Sequence, residues 1–160
     1  MANTETWRSA NLKQARSDLA VFDSIKGQPL CQQLHYLQMA TEKLAKAYLS
    51  QVNGGARPNR SHQAFVRFLR LVRITPRFRT ALNWRKEQFR AHVDWLLPTA
   101  QLVEDLAPAG DKDKPNPEYP WETAGAVIAP VDYPFAAYGL GQARMAGLIK
   151  LVRLCMNHAL

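Results

Sequence analysis

The arginines between residues 67 and 90 are the side chains whose type and spacing best suit the binding of an anion. The set comprises Arg67, Arg70, Arg73, Arg77, Arg79 and Arg90. Arginines neutralise backbone phosphates, and Trp84 and Phe89 in the same span are available to stack on bases. The span therefore predicts either a surface that binds RNA or, with equal weight, a solvated helical face, since several of the arginines lie opposite an apolar stripe.

The sequence offers few residues for other kinds of binding or catalytic site. The GLGQARMAG stretch resembles a phosphate-binding loop, but no strand is predicted before it. Glu104 and Asp105 point to different faces of a helix, and no histidines and cysteines have metal-ligand spacing. Cys31 and Cys155 are far apart, which favours two buried, reduced thiols over a disulfide or a metal site. We therefore predict neither a metal nor a cofactor.

Composition sets limits on the class of protein. The 160 residues, 47% of them hydrophobic, suit a single domain over residues 1–160 with a substantial core. A net charge of +8 favours attraction to polyanions without identifying which one. The sequence has neither an apolar run long enough to span a membrane nor a hydrophobic segment behind a basic start. We therefore expect a cytoplasmic protein without a membrane span or a signal peptide.

A central helix over residues 30–52 must position many of these side chains. Its buried stripe comprises Leu34, Leu37, Thr41, Leu44 and Tyr48, at spacings of three and four residues. Pro29 marks its start, and the NGG sequence at 53–55 marks its end. Glu42 and Lys46 stand four residues apart on the outer side, and we predict a surface pair worth on the order of a few tenths of a kcal/mol.

Four further helical segments are predicted. A first helix over 7–25 should form an antiparallel hairpin with the central helix, because the connection is short. Ser61 is placed to cap a third helix that begins at His62. A segment over 76–106 should be kinked or interrupted at Pro98, and a last helix covers 141–158. No segment alternates with period two, so we predict an all-α fold, an antiparallel bundle of four to five helices.

Residues 107–140 predict an irregular arm before the last helix. Six prolines in this segment preclude a regular helix. The segment also carries five large aromatic side chains, which are Tyr119, Trp121, Tyr133, Phe135 and Tyr138. These are too many for a solvated linker. We therefore expect an ordered arm that packs over the bundle or against a second subunit.

The sequences of the first three helices carry a family resemblance. ARSDLAVF, then QQLHYLQMATEKLAKAYL, then a Gly-bearing loop and SHQAFVRFL, resemble the HEPN family of small helical-bundle proteins in order and spacing over residues 7–73. NPEYPW and the last helix resemble the family more weakly. The resemblance implies a bundle of four or five helices that commonly forms a homodimer. It also implies RNA or a partner protein, such as an antitoxin or a nucleotidyltransferase, as the binding partner.

Active members of that family are metal-independent ribonucleases. Their motif is an Arg and a His separated by four to six residues, and two copies usually face each other across a dimer. The resemblance implies that the His acts as general base or acid when a ribose 2′-hydroxyl attacks the neighbouring phosphate. The Arg would stabilise the additional negative charge on that phosphate.

Three segments of the chain have this spacing, namely Arg57 to His62, Arg85 to His92 and Arg153 to His158. With thirteen Arg and four His in the chain, about one such match arises by chance. Seven positions place Arg85 and His92 on one helical face, whereas five positions separate the third pair by about 140°. The third match is therefore interpreted as accidental. Arg85 with His92 is the first catalytic candidate, and Arg57 with His62 the second.

Each histidine also has a structural interpretation. His62 could order the loop at a helix start, and His92, beside Phe89 and Val93, could be a boundary residue. His35 suits a surface or dimer contact. Related proteins often carry an Arg in an RYP segment where this chain has Glu118, which weakens the case for an arginine-dependent activity.

Three functions are open at this level. The preferred prediction is a dimeric binding module for RNA or a partner protein. The alternatives are a metal-independent ribonuclease toxin and a structural interaction module with no nucleic-acid role.

Overall fold

Helices make up most of the chain in a computed structural model that describes residues 4–52, 62–106 and 114–158. The described part contains α1 (Thr4–Ser24), α2 (Leu30–Val52), α3 (Phe65–Val72), α4 (Pro76–Ala81), α5 (Lys86–Glu104) and α6 (Ala143–His158). The predicted all-α fold is confirmed. No helix in the described ranges is both long enough and apolar enough to cross a membrane.

Helix α2 is central, and it has the bounds that its sequence predicts. Leu34, Leu37 and Leu44 are completely buried, and each contributes roughly 1.5 to 3 kcal/mol relative to an exposed leucine. The most extensive packing of α2 is against α1. The ammonium of Lys43 on α2 lies 2.7 Å from the buried carboxylate of Asp18 on α1, so a charge pair also ties the two helices together.

The start of α3 differs from its prediction, because the helix begins at Phe65 and not at His62. Ser61, the predicted cap, lies outside the described residues. The N-cap residue Ala64 has no side chain that could accept a hydrogen bond. Glu104 on α5 does this instead, since its Oε2 accepts a hydrogen bond from the backbone N–H of Val66 at 3.0 Å. A carboxylate that is distant in sequence therefore caps this helix.

The segment from 76 to 106 forms two helices, α4 and α5. The break lies at Asn83, whose φ of 54° is left-handed, a conformation that asparagine tolerates better than most residues. Helix α5 continues through Pro98, so of the kink or interruption predicted there, the interruption is wrong. Pro98 is exposed, and water can satisfy the carbonyl that a proline leaves without its helical donor.

The described part of the arm, residues 114–140, packs on the bundle. It contains a hairpin of β1 (Trp121–Thr123) and β2 (Ala126–Ile128), which pair antiparallel with Trp121 opposite Ile128. Ala124 and Gly125 both have positive φ, as the tight turn of a two-residue hairpin requires. The strands have only three residues each, too few to show period-two alternation in the sequence.

A small second core joins the arm to the start of α2 and the end of α5. It comprises Cys31, Leu34, Leu106, Trp121 and Phe135. Phe135 is fully buried, and its ring centroid lies 4.8 Å from that of Tyr133 and 6.2 Å from that of Trp121. Cys31 and Cys155 are both buried free thiols, as predicted. Burial raises the pKa of Cys155 well above its ordinary value, which disfavours the reactive thiolate form.

Candidate functional site

The buried carboxylate of Glu42 on α2 is the centre of a group of polar side chains that includes a histidine. We call this group, Gln38, Glu42, Lys46 and His62, the Glu42 cluster. His62 Nδ1 lies 2.7 Å from Glu42 Oε2, and Gln38 Nε2 donates to the same oxygen at 3.0 Å. Lys46 Nζ donates to Oε1. Glu42 is 8% exposed, so its pair with Lys46 is not the surface pair that was predicted, because its carboxylate is buried.

These contacts control the charge of Glu42. Burial alone would raise the pKa of this carboxyl, because the ionised form loses its hydration. The hydrogen bonds from its three partners outweigh burial and hold the pKa below the ordinary value. Glu42 is therefore ionised at neutral pH, and it is the acceptor for every donor in the cluster.

Glu42 orients the ring of His62. The carboxylate accepts a hydrogen bond from Nδ1–H, which fixes one tautomer when the ring is neutral. The other nitrogen, Nε2, makes no hydrogen bond to any residue in the described ranges, and the side chain is 44% exposed. A neutral ring held in this way could accept a proton at Nε2 and later return it.

The first catalytic candidate, His92, lies in a different environment. Its ring contacts Trp84 and Trp95, with centroid separations of 5.0 Å and 5.8 Å. Burial lowers the pKa of His92, and no carboxylate among the described residues pairs with it. Arg85 is exposed at the N-cap of α5. His92 thus lacks the orienting carboxylate that His62 has, and its catalytic role remains a prediction.

Of the arginines in the other two Arg and His matches, the structure describes only Arg153. Arg57, the predicted partner of His62, lies outside the described residues. Arg153 forms a two-point ion pair with Asp23 on α1, at 2.6 Å and 2.7 Å, whereas His158 is exposed at the end of α6. This engagement of Arg153 supports the interpretation of the third Arg and His match as accidental.

His35 on α2 faces the arm. Its Nδ1 lies 3.8 Å from Oε2 of Glu118, the residue that stands where the HEPN resemblance leads one to expect an arginine. The side chain of His35 is 23% exposed. His35 therefore contacts the arm of its own chain.

The predicted RNA-binding arginines fall into two groups. Arg67 and Arg70 are exposed on α3, whereas Arg73, Arg77, Arg79 and Arg90 are half-buried. Arg73 forms a two-point ion pair with Asp94, in which Nε lies 2.7 Å from Oδ1 and Nη2 lies 2.9 Å from Oδ2. The Arg77 guanidinium lies over the rings of Tyr48 and Phe78, at 5.3 Å and 4.9 Å from their centroids.

Two of the half-buried arginines also have a buried Nε. In Arg77 and Arg90 this atom has no hydrogen-bond partner among the described residues. Phe89, one of the two predicted stacking side chains, is 1% exposed, so it belongs to the core and cannot stack on a base. Arg67 and Arg70 remain the members of the set best placed to meet a phosphate.

A cavity of about 500 Å³ opens between α5 and α6. Its wall includes Trp84, His92, Trp95, Gly147, Lys150 and Leu154. The lining is mostly apolar, and Lys150 is its one charged side chain among the described residues. Sequence reasoning missed this cavity, because Trp84 was considered only as a side chain that could stack on bases and Trp95 was not singled out.

Comparison with family models, curated proteins and solved structures gives no match. The HEPN resemblance therefore stays a prediction from the residues themselves. Within the described part of the chain, no group of three or more His, Cys, Asp or Glu side chains could hold a metal ion.

Proposed function

We propose that this protein is an RNA-binding module of the HEPN type, and that the outer face of α3 contacts the RNA backbone. The observation that carries the proposal is the state of Arg67 and Arg70. Both are exposed and stand three residues apart on one helix, and neither has a carboxylate partner among the described residues. We call this pair the α3 arginine face.

The opposite side of α3 makes this face rigid. Its buried residues are Phe65, Val66, Phe68, Leu69 and Val72. A helix anchored in this way holds the backbone positions of the two arginines at a fixed spacing, so little binding energy is lost in ordering the backbone. Each phosphate contact to single-stranded RNA lowers the slope of log K against log salt by about 0.7. Two contacts per chain would therefore give a modest but measurable slope.

The HEPN resemblance adds a homodimer to this proposal, in which two α3 arginine faces would bind one RNA. Exposed apolar side chains on the arm, Tyr119, Val127 and Val131, offer surface for such an association. A partner protein, such as an antitoxin or a nucleotidyltransferase, is the alternative ligand for the same module. If the protein binds no RNA, the alternative of a partner protein remains.

The test is fluorescence anisotropy with a labelled single-stranded RNA at several salt concentrations. Replacing Arg67 and Arg70 by Ala should weaken binding by tenfold or more and reduce the magnitude of the salt slope by about 1.4 for each chain bound to the RNA. The matched control replaces Lys13 and Lys26 by Ala, since both are exposed and the net charge falls equally. If the control weakens binding as much as the arginine variant does, then net charge and not the α3 arginine face explains the affinity.

A second candidate function, a metal-independent ribonuclease, is favoured by the 2.7 Å contact between His62 and Glu42. Nε2 of His62 would take the proton from a ribose 2′-hydroxyl as the 2′-oxygen attacks phosphorus. The P–O5′ bond then breaks, and the same nitrogen returns a proton to the departing 5′-oxygen. The products are a 2′,3′-cyclic phosphate and a free 5′-hydroxyl.

Cleavage of RNA in the presence of a chelator tests this candidate. His62→Ala should abolish cleavage, and Glu42→Gln should slow it strongly because Nδ1 loses its charged acceptor. His92→Ala is the matched comparison for the other predicted histidine. RNA that is bound and left intact by the wild-type protein would support the binding module and exclude the ribonuclease.

A further inference from the structure

The cavity between α5 and α6 is a concave apolar site with aromatic walls. Its volume, about 500 Å³, lies within the range of about 300 to 1,000 Å³ that is usual for small-molecule sites. The ring of His92 stands nearly perpendicular to that of Trp84, at 84°, and is tilted by 36° from that of Trp95. Three flat side chains therefore surround one space and could contact a flat ligand by edge and by face.

Gly147 allows α6 to approach α5 closely at this point. A Cβ atom there would lie 3.2 Å from Leu96 and 3.4 Å from the indole of Trp95. Glycine inside a helix costs about 1 kcal/mol relative to alanine, so this close approach is maintained against the helix propensity. Trp95 remains 39% exposed, an unusual state for the largest side chain in a well-packed bundle.

The charges around the cavity select the ligand. Lys150 is exposed on its wall and forms no ion pair with the described residues. The guanidinium of Arg144 lies 5.6 Å from the ring centroid of Trp95 and adds a second positive charge. Among the residues that the structure describes, no acidic side chain lines the cavity. A cationic ligand would be repelled, whereas an acid group at the mouth would meet Lys150.

Neutral His92 suits the same ligand. Because burial lowers its pKa, the ring is uncharged at neutral pH and presents an aromatic surface with one hydrogen-bond donor and one acceptor. The aromatic body of a ligand can therefore enter the cavity without covering a charged imidazolium. The occupant that fits these properties is a small amphipathic anion, with an aromatic body in the cavity and its acid group beside Lys150.

We propose that the cavity lined by Trp84, His92, Trp95 and Lys150 is a binding site for a small aromatic anion. This site is separate from the α3 arginine face and does not depend on RNA binding. The probe for the test is 8-anilinonaphthalene-1-sulfonate, and its uncharged counterpart is N-phenyl-1-naphthylamine. Both fluoresce more strongly in an apolar site, so the contribution of the acid group can be measured.

Wild-type protein should bind the sulfonate with a stoichiometry of one per chain. Lys150→Gln should weaken the sulfonate by about three- to tenfold and leave the uncharged probe within twofold. Lys13→Gln, which removes the same charge from the exposed side of α1, should change neither probe. Ala146→Phe, which places a ring in the cavity, should block both probes while circular dichroism shows intact helices.

Several outcomes would overturn the proposal. One is the absence of sulfonate binding to the folded wild-type protein. Another is equal weakening by Lys150→Gln and Lys13→Gln, which would show a non-specific charge effect. A third is a folded Ala146→Phe protein that still binds both probes. Self-association can be followed by analytical ultracentrifugation. If the probe signal is lost as the protein self-associates, the cavity is covered by a second copy of the chain and the proposal is overturned.

Discussion

Glu104 at the end of α5 accepts a hydrogen bond from the backbone N–H of Val66 in the first turn of α3. Glu104 is 8% exposed, so water does not readily replace it. The contact couples the start of the helix that carries the α3 arginine face to the end of a helix that is distant in sequence.

Replacing this cap should lower the stability of the fold. We expect Glu104→Ala to reduce the free energy of unfolding by about 1 to 2 kcal/mol, because a buried N–H loses its acceptor. Glu104→Gln should cost less, since its amide oxygen can still accept the bond. The measurement is urea denaturation. Asp105→Ala is the control, because Asp105 is exposed and should change stability by less than about 0.5 kcal/mol. Equal losses at both positions would contradict the capping role.

The Glu42 cluster should depend on the charge of its carboxylate. Glu42→Gln keeps the shape of the side chain but leaves the donors of Lys46 and His62 without an ionised acceptor. We expect a loss of about 1 to 3 kcal/mol in the free energy of unfolding. Glu87→Gln, an identical change at an exposed position on α5, should have little effect.

The pH dependence of that loss follows from the direction of the pKa shift. The pKa of Glu42 in the folded protein lies below the ordinary value of 4.5, so the unfolded chain binds more protons near that pH. The stabilising contribution is therefore fully present above pH 4.5 and disappears as the pH falls through the folded pKa. The difference between wild type and Glu42→Gln should shrink over that acidic range. A difference that is constant from pH 7 to pH 3 would contradict the assignment.

The helical framework was predictable where it depends on local pattern. The spacing of Leu34, Leu37 and Leu44, with Pro29 before and glycines after, is sufficient to define α2, because one buried stripe needs no knowledge of the partner helix. The break at Asn83 was missed. A left-handed residue has a weaker sequence signal than the proline at 98, which an exposed position tolerates.

The candidate site was predictable only in its components. His62 was recognised as a histidine near a helix start, and Glu42 as half of a helical pair. Their contact joins α2 to the residues just before α3, twenty positions along the chain, and no spacing rule predicts it. Phe89 shows the converse error, because it was predicted to be available for stacking on bases, whereas it is buried in the core.

The ion pair between Arg153 and Asp23 should contribute little and should respond to salt. Both side chains are more than a third exposed, at 41% and 35%, so water and ions screen the pair. The Arg153 guanidinium lowers the pKa of Asp23 chiefly through its hydrogen bonds. A double-mutant cycle with Arg153→Ala and Asp23→Ala should give a coupling of about 0.5 to 1 kcal/mol at low salt, which falls toward zero in molar salt. A salt-independent coupling would contradict the screening argument.

We expect the arm, which covers Cys31, to open locally while the helical bundle stays folded. Phe135 fills the second core with Cys31 and Trp121, and Phe135→Ala should lower the free energy of unfolding by about 3 to 5 kcal/mol. The more specific readout is thiol reactivity toward an aromatic disulfide reagent. Both cysteines of the wild-type protein should react slowly, since both are buried.

In Phe135→Ala we expect one thiol, Cys31, to become reactive, because local opening of the arm exposes the second core. Cys155 should remain protected, since it belongs to the main core with α6. Cys31→Ser in the same background identifies the reactive thiol. Val127→Ala is the matched control in the arm, because Val127 is 77% exposed and its truncation should alter neither stability nor reactivity. Simultaneous exposure of both thiols would show that the arm and the bundle unfold as one unit.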